Sequence, residues 1–225
     1  KALELVDQNK LYQLSNAVEI LNKFPKAKFV ENVDLAFKLG VDPRQSDQMV
    51  RGTVALPHGS GKSVRVLVFA KPGPAADAAR AAGAEYVGFE DMIKQCVEGW
   101  TDFDVAIATP EAMVEVRKLG KVLGPRGLMP NPKTGTVTDD TARAVKEVKA
   151  GRVEFKIDKG ANLHVPVGKL NFKPEQLVDN ARAVIEAVIK SKPSAAKGNF
   201  IQSCTISTTM SPGVRVDIRE FLAAA

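Results

Sequence analysis

The chain changes its hydrophobic period twice, near residues 62 and 152, and each period admits a different kind of sheet. Between these points apolar residues come in short continuous runs, at 64–70, 86–87 and 105–108. Helical stretches separate them, at 75–82 and 91–98, from Pro110 onward, and at 139–149. Continuous apolar strands alternating with helices imply a parallel sheet covered on both faces. In the flanks the period is two. Val33, Leu35, Phe37 and Leu39 alternate with Asp34, Ala36 and Lys38, and Val153, Phe155 and Ile157 alternate with Glu154, Lys156 and Asp158, as in strands with one wet face. A helix capped by Ser15 and stopped by Pro25 precedes the first of these, and 50–56 reads as another strand. Pro174 opens a long amphipathic helix that ends near Lys192 and Pro193, and strands follow at 201–208 and 214–218. The fold class expected is α/β combined with α+β. Residues 1–62 and 152–225 form one discontinuous α+β domain, and a Rossmann-like α/β domain, 63–151, is inserted into it.

Composition supports two folded cores: the chain has 225 residues, 44% of them hydrophobic, and a mean hydropathy of −0.10. No apolar run approaches the roughly 20 residues that span a bilayer, and no leader pattern is visible, so the expected location is the cytoplasm and no membrane partner is expected. Cys96 and Cys204 each sit in an apolar run, which suits buried reduced thiols rather than a disulfide framework. Charge is unevenly divided. Residues 63–151 carry 12 Lys+Arg and 12 Asp+Glu, leaving 20 and 14 of the totals of 32 and 26 for the flanks, so the net +6 lies in the flanks. A basic surface confined to one domain suits a polyphosphate partner, although a solubility charge accounts for it equally well on composition alone.

Chemistry-bearing motifs are few. Gly61-Lys62-Ser63 ends like a phosphate-binding loop, which makes a nucleotide-using α/β enzyme the main alternative. That motif needs glycine where Leu56 stands and a helix after Ser63, whereas a strand is expected there. His58 and His164 are the only histidines, and no metal-ligand spacing or nucleophile elbow is present. Asp102 and Asp104 form the closest carboxylate pair and read as a solvated turn. No catalytic residue, metal or cofactor is therefore expected. A protein-interaction module with an incidental basic face is the other alternative.

The most distinctive run is 118–135, KLGKVLGPRGLMPNPKTG, whose glycines and prolines imply an ordered loop rather than helix or strand. It resembles the signature of the large-subunit ribosomal protein family called L-one, the protein of the ribosome's mobile side stalk. The resemblance extends in order to KLGVDP at 38–43, RGTV at 51–54, LPHG at 56–59, DFD at 102–104, HVPVGK at 164–169 and TTM at 208–210. It implies a non-enzymatic protein, monomeric when free and associated with the ribosome in the cytoplasm or in an organellar matrix. The implied partners are large-subunit ribosomal RNA in the stalk region, the messenger of its own operon, whose translation it represses, and exit-site tRNA. Carried over by motif, the RNA-facing positions are Lys28, Phe29, His164, Gly168, Lys169, Ser203, Thr209 and Met210, all in the flanks. Such a set is chemically coherent: lysines meet phosphates, hydroxyls and backbone amides meet 2′-hydroxyls, and Phe and Met cover sugar faces. Taken singly, each has an ordinary alternative as core residue or solvated charge. The family usually has glycine after the Thr-Met pair, where this chain has Ser211.

Overall fold

A computed structural model describes residues 2–7, 9–196 and 198–223. In chain order the main elements are α1 (Leu14–Lys23), β1 (Asn32–Leu39), β2 (Arg51–Ala55), β3 (Val66–Phe69), α2 (Pro74–Ala81), β4 (Tyr86–Gly88), α3 (Glu90–Val97) and β5 (Val105–Ala108). They continue with α4 (Met113–Val116), α5 (Gly120–Leu123), α6 (Thr141–Lys149), β6 (Arg152–Lys156), β7 (Asn162–Lys169), α7 (Pro174–Lys190), β8 (Ile201–Thr208), β9 (Val214–Val216) and α8 (Arg219–Ala223). The fold is mixed α/β. Residues group into two compact units, Lys1–Gly61 with Gly151–Ala225, and Lys62–Ala150.

The split unit is built on an antiparallel sheet ordered β7-β1-β8-β9. Val33, Leu35, Phe37 and Leu39 of β1 are buried on one face together with Leu163, Val165 and Val167 of β7 and Cys204 and Ile206 of β8. Helices α1 and α7 close that face through Ala17, Val18, Leu21, Leu177, Ala181, Val184 and Val188, as the alternation of the strands requires. Pro174 sits in the first turn of α7, where its missing N–H costs nothing, and Gln176 Oε1 accepts from the Lys173 amide at 3.1 Å. Beside the sheet, β2 and β6 form a separate two-stranded ribbon. Asn180 of α7 is buried, yet its amide is satisfied: it donates to the carbonyls of Gly59 (3.0 Å) and Val167 (2.8 Å) and accepts from the His58 amide (3.0 Å).

The inserted unit has a parallel sheet ordered β4-β3-β5. All four residues of β3 are fully buried. Leu67 and Phe69 pack with Cys96, Val116, Leu119 and Leu123 on one side, and Val66 and Val68 pack with Ala76, Ala79, Ala144 and Val145 on the other. Asp140 caps α6 by accepting from the Arg143 amide at 3.0 Å.

Several local expectations need correction. Ser15 does not cap α1; the helix begins at Leu14 after Gln13, because burying Leu14 extends the apolar face one residue earlier. The helix expected from Pro110 forms at Met113, since Thr109 Oγ1 accepts from the Ala112 amide at 3.3 Å and holds 110–112 as a turn. Part of the run 118–135 is helical, because Leu119 and Leu123 both face the core and Gly120 and Gly124 adopt helical angles there. Asp102 and Asp104 are not merely solvated. Asp104 accepts from Lys62 Nζ (2.5 Å) and from the Arg65 amide (3.1 Å), and Arg65 also reaches Asp102. One expectation in this stretch holds: after Ser63 comes strand β3, not the helix a phosphate loop requires.

Candidate nucleic-acid interface

With the helices covering one face of the four-stranded sheet, the other face carries the out-pointing residues of each strand. Register sets them in rows. His164, Ala36, Thr205 and Arg215 stand side by side across all four strands, with Pro166, Asp34 and Ser207 in the next row and Asn162, Lys38 and Ser203 on the other side. Pro166 is tolerated because β7 is an edge strand, where a missing ladder donor costs little. Asp34 is half-buried in this face, and desolvation holds its carboxyl above the ordinary range against the opposing influence of His164.

At the start of β1 the sheet ends in a tighter cluster. Lys169 lies opposite Asn32, whose amide donates to Thr209 Oγ1 (3.1 Å) and whose carbonyl accepts from the Thr209 amide (3.2 Å). Just before Asn32, Glu31 is only 2% exposed. Its Oε1 accepts from the Ala27 amide (2.9 Å), and its Oε2 accepts from Thr208 Oγ1 (2.6 Å) and the Met210 amide (3.0 Å). One carboxylate thus joins the loop that carries Lys28 and Phe29 to the turn that carries Thr209 and Met210. The Thr208 hydroxyl and the Ala27 amide hold its pKa below the usual carboxylate value despite burial, and the Met210 amide adds to them. On this fixed base two large apolar side chains stand in water: Phe29 is 55% exposed and Met210 72%. The Ser211 hydroxyl accepts from the Thr208 amide at 2.9 Å and so helps close the same turn.

The sequence-derived set therefore falls into parts. Lys28, Phe29, Lys169, Thr209 and Met210 come together at the sheet end. His164 and Ser203 lie on the open face four and six residues along β1, about 13–20 Å away. Gly168 is buried at the bulge opposite Val33, with φ of +154°, and a Cβ there would meet Leu177 and Phe172 at 3.1 Å. Sequence reasoning missed Glu31, because a single glutamate in a polar stretch reads as solvated and its partners lie up to 179 residues away. It also passed over Asp34, Thr205 and Arg215, which strict alternation in three strands could have placed on one face. Among the described residues no group of three or more His, Cys, Asp or Glu could hold a metal ion.

The Ribosomal protein L1p/L10e family matches residues 21–212, a span that includes every residue of this set. The chain is 56% identical over 217 residues to the Large ribosomal subunit protein uL1 of Clavibacter sepedonicus, covering 96% of this chain and 95% of that protein. It has the same identity and coverage to the protein of that name from Clavibacter michiganensis subsp. michiganensis (strain NCPPB 382). The chain belongs to the Ribosomal protein L1p/L10e family.

Proposed function

We propose that this protein is a non-catalytic constituent of the large ribosomal subunit whose split unit binds large-subunit ribosomal RNA at the mobile stalk. Residues 1–62 and 152–225 act as the RNA-binding domain and 63–151 as the inserted domain. The same surface takes a mimic of that RNA in the messenger of its own operon, and the stalk moves with exit-site tRNA. The observation that carries the reading is the sheet-end cluster. Exposed Phe29 and Met210 lie on two segments that buried Glu31 joins, beside Thr209, Lys28 and the end of β7 at Lys169. Exposed apolar side chains gathered in one place beside hydrogen-bonding groups mark a surface that a partner covers, in a way that single exposed residues do not. Ribose faces and 2′-hydroxyls suit such a surface, and cations alone would not need it.

Thr209 offers the test. Its Oγ1 accepts from the Asn32 amide, leaving the hydroxyl proton free to donate outward. Thr209→Val keeps the shape but leaves polar groups unpaired, at a cost of about 1–3 kcal/mol. Affinity for a transcribed stalk segment of large-subunit ribosomal RNA should fall about tenfold or more. The dependence on salt should be unchanged, because no phosphate contact is lost, and Thr209→Ser should restore most of the affinity. Binding by Thr209→Val that matches the parent would remove the cluster from the interface.

A further inference from the structure

The β2–β6 ribbon lies outside the sheet just described, yet its outward face carries a charge arrangement that makes little sense for an isolated protein. The antiparallel register pairs Arg51 with Lys156, Gly52 with Phe155, Thr53 with Glu154 and Ala55 with Arg152. Phe155 is buried, and a Cβ at Gly52 would meet its ring at 2.8 Å, so Gly52 is what lets that ring lie flat on the ribbon's inner face. Alternation then commits Arg51, Thr53, Arg152, Glu154 and Lys156 to the outer face. Arg51 and Lys156 stand directly opposite one another, an arrangement that like charges destabilise. Glu154 feels Arg51, Lys156 and Arg152, but it is one carboxylate among three cations. Arg152 is oriented along the ribbon by donating from Nη2 to Thr53 Oγ1 at 3.0 Å. Arg51 Nε is buried with no hydrogen-bond partner. Buried donors are nearly always satisfied, so the Arg51 Nε–H beside a second cation favours an acceptor at this place.

We propose that the outer face of the β2–β6 ribbon is a second RNA contact, in which Arg51 and Lys156, flanked by Arg152, hold a phosphate of the RNA backbone. A phosphate oxygen accepts from the planar guanidinium in two places and neutralises the facing pair. A phosphate at the facing pair relieves the repulsion between Arg51 and Lys156 and offers the Arg51 guanidinium an acceptor. Glu154 beside it limits how strongly the ribbon attracts anions at large. The inference rests on the RNA-binding reading above and adds a place that reading does not include.

The test uses the full-length protein and the same ribosomal RNA segment. Lys156→Gln and Arg51→Gln should each lower the salt slope of binding by about one unit, whereas Glu154→Gln, which removes the opposing charge, should strengthen binding. The Arg51 Nε–H resonance should move on addition of the RNA and stay in place with inorganic phosphate alone. If Arg51→Gln fails to fold, Lys156→Gln decides the matter, since Lys156 is exposed. With the parent binding and Thr209→Val weakened as expected, parental affinity and salt slope in Lys156→Gln would overturn the ribbon contact alone. An equal shift of the resonance with inorganic phosphate would also overturn it, in favour of a free-anion site. A parent that binds no RNA would sink both readings.

Discussion

The two units of this chain use opposite solutions to the same problem of burying a sheet. In the inserted unit β3 is dry on both sides, with helices on each face and a near balance of 13 Lys+Arg against 12 Asp+Glu over residues 62–150. In the split unit helices cover one face only, and the other is left to His164, Asp34, Lys38, Ser203, Thr205 and Arg215. A sheet closed on both faces has nothing left to offer a large ligand except its loops. A half-open antiparallel sheet offers an ordered grid of polar side chains at strand spacing, and here the unit that carries that grid holds 19 Lys+Arg against 14 Asp+Glu, most of the chain's net charge of +6. The exposed aromatic and thioether groups of the sheet end belong to this unit as well. Under the RNA-binding proposal, the difference leaves a closed core to one pattern and a recognition surface to the other.

The strongest way to break that division is to damage the dry sheet and measure recognition. Phe69 is fully buried among Leu67, Ala108, Leu119 and Leu123, so Phe69→Ala should destabilise the inserted unit by about 3–5 kcal/mol. Urea unfolding followed by the single tryptophan, Trp100, which lies in that unit, should move to markedly lower denaturant. At temperatures where the unit is still folded, affinity for the ribosomal RNA segment should equal that of the parent. A parallel fall in affinity would mean that recognition is shared.

Much of the division was legible from hydrophobic period alone. The continuous runs of 64–70 and 105–108 lie over β3 and β5, and the alternation from Val33 to Leu39 became the burial pattern of β1. What escaped did so for identifiable reasons. Strand β7 carries Leu163, Val165 and Val167 in alternation, but Pro166 in its middle argues against a strand until one knows that it lies at an edge. Glu31 acquires its meaning only when Thr208 and Met210 fold back onto it, and nothing local in the sequence records that contact. Gly168 carries a motif resemblance that no spacing argument could turn into a position. In three dimensions it is an interior bulge packed on Leu177. Period reads out which face is buried, whereas a site assembled from three distant segments is written in contacts that period does not carry.

Glu31 also sharpens the comparison, because its hydrogen bonds tie the stability of the split unit to the proposed recognition surface. Glu31→Gln replaces one acceptor oxygen with a donor amide, so at least one of the Ala27, Thr208 and Met210 donors loses its partner at a cost of about 1–3 kcal/mol. The Thr209–Met210 turn should loosen, and RNA affinity should fall without a change in salt slope. Acid should reveal the same group. Since the folded-state pKa is lowered, the contribution of Glu31 is fully present above the ordinary glutamate value and is lost as pH falls through the folded value. Stability of the parent measured by urea across that acid range should therefore drop more steeply than that of Glu31→Gln. Equal pH profiles would show that the carboxylate is not held as its hydrogen bonds require.

The smallest effect is expected at Lys62, the first residue of the inserted unit, in the run that resembles a phosphate cradle. Lys62 Nζ lies 2.5 Å from Asp104 Oδ1, with the lysine side chain 61% exposed and the aspartate 21%. Hydrogen bonding from Lys62 is the largest influence lowering the Asp104 pKa, opposed by desolvation and supported by the Arg65 amide and side chain. Lys62→Ala leaves both Arg65 donors in place, so the loss should resemble that of an exposed ion pair, about 0.2–1 kcal/mol. The sign with pH follows from the lowered value: the pair stabilises above the ordinary aspartate range, and its contribution fades as acid protonates Asp104, so parent and mutant should converge at low pH. Any effect on RNA binding should stay at or below about one unit of salt slope, the most a single phosphate contact can supply. Nucleotide binding should be absent in both proteins, because strand β3 follows Ser63 and no helix N-terminus is available there to receive a phosphate. ATP or GTP binding by the parent, abolished in Lys62→Ala, would break the division between the two units by giving the dry sheet a ligand of its own.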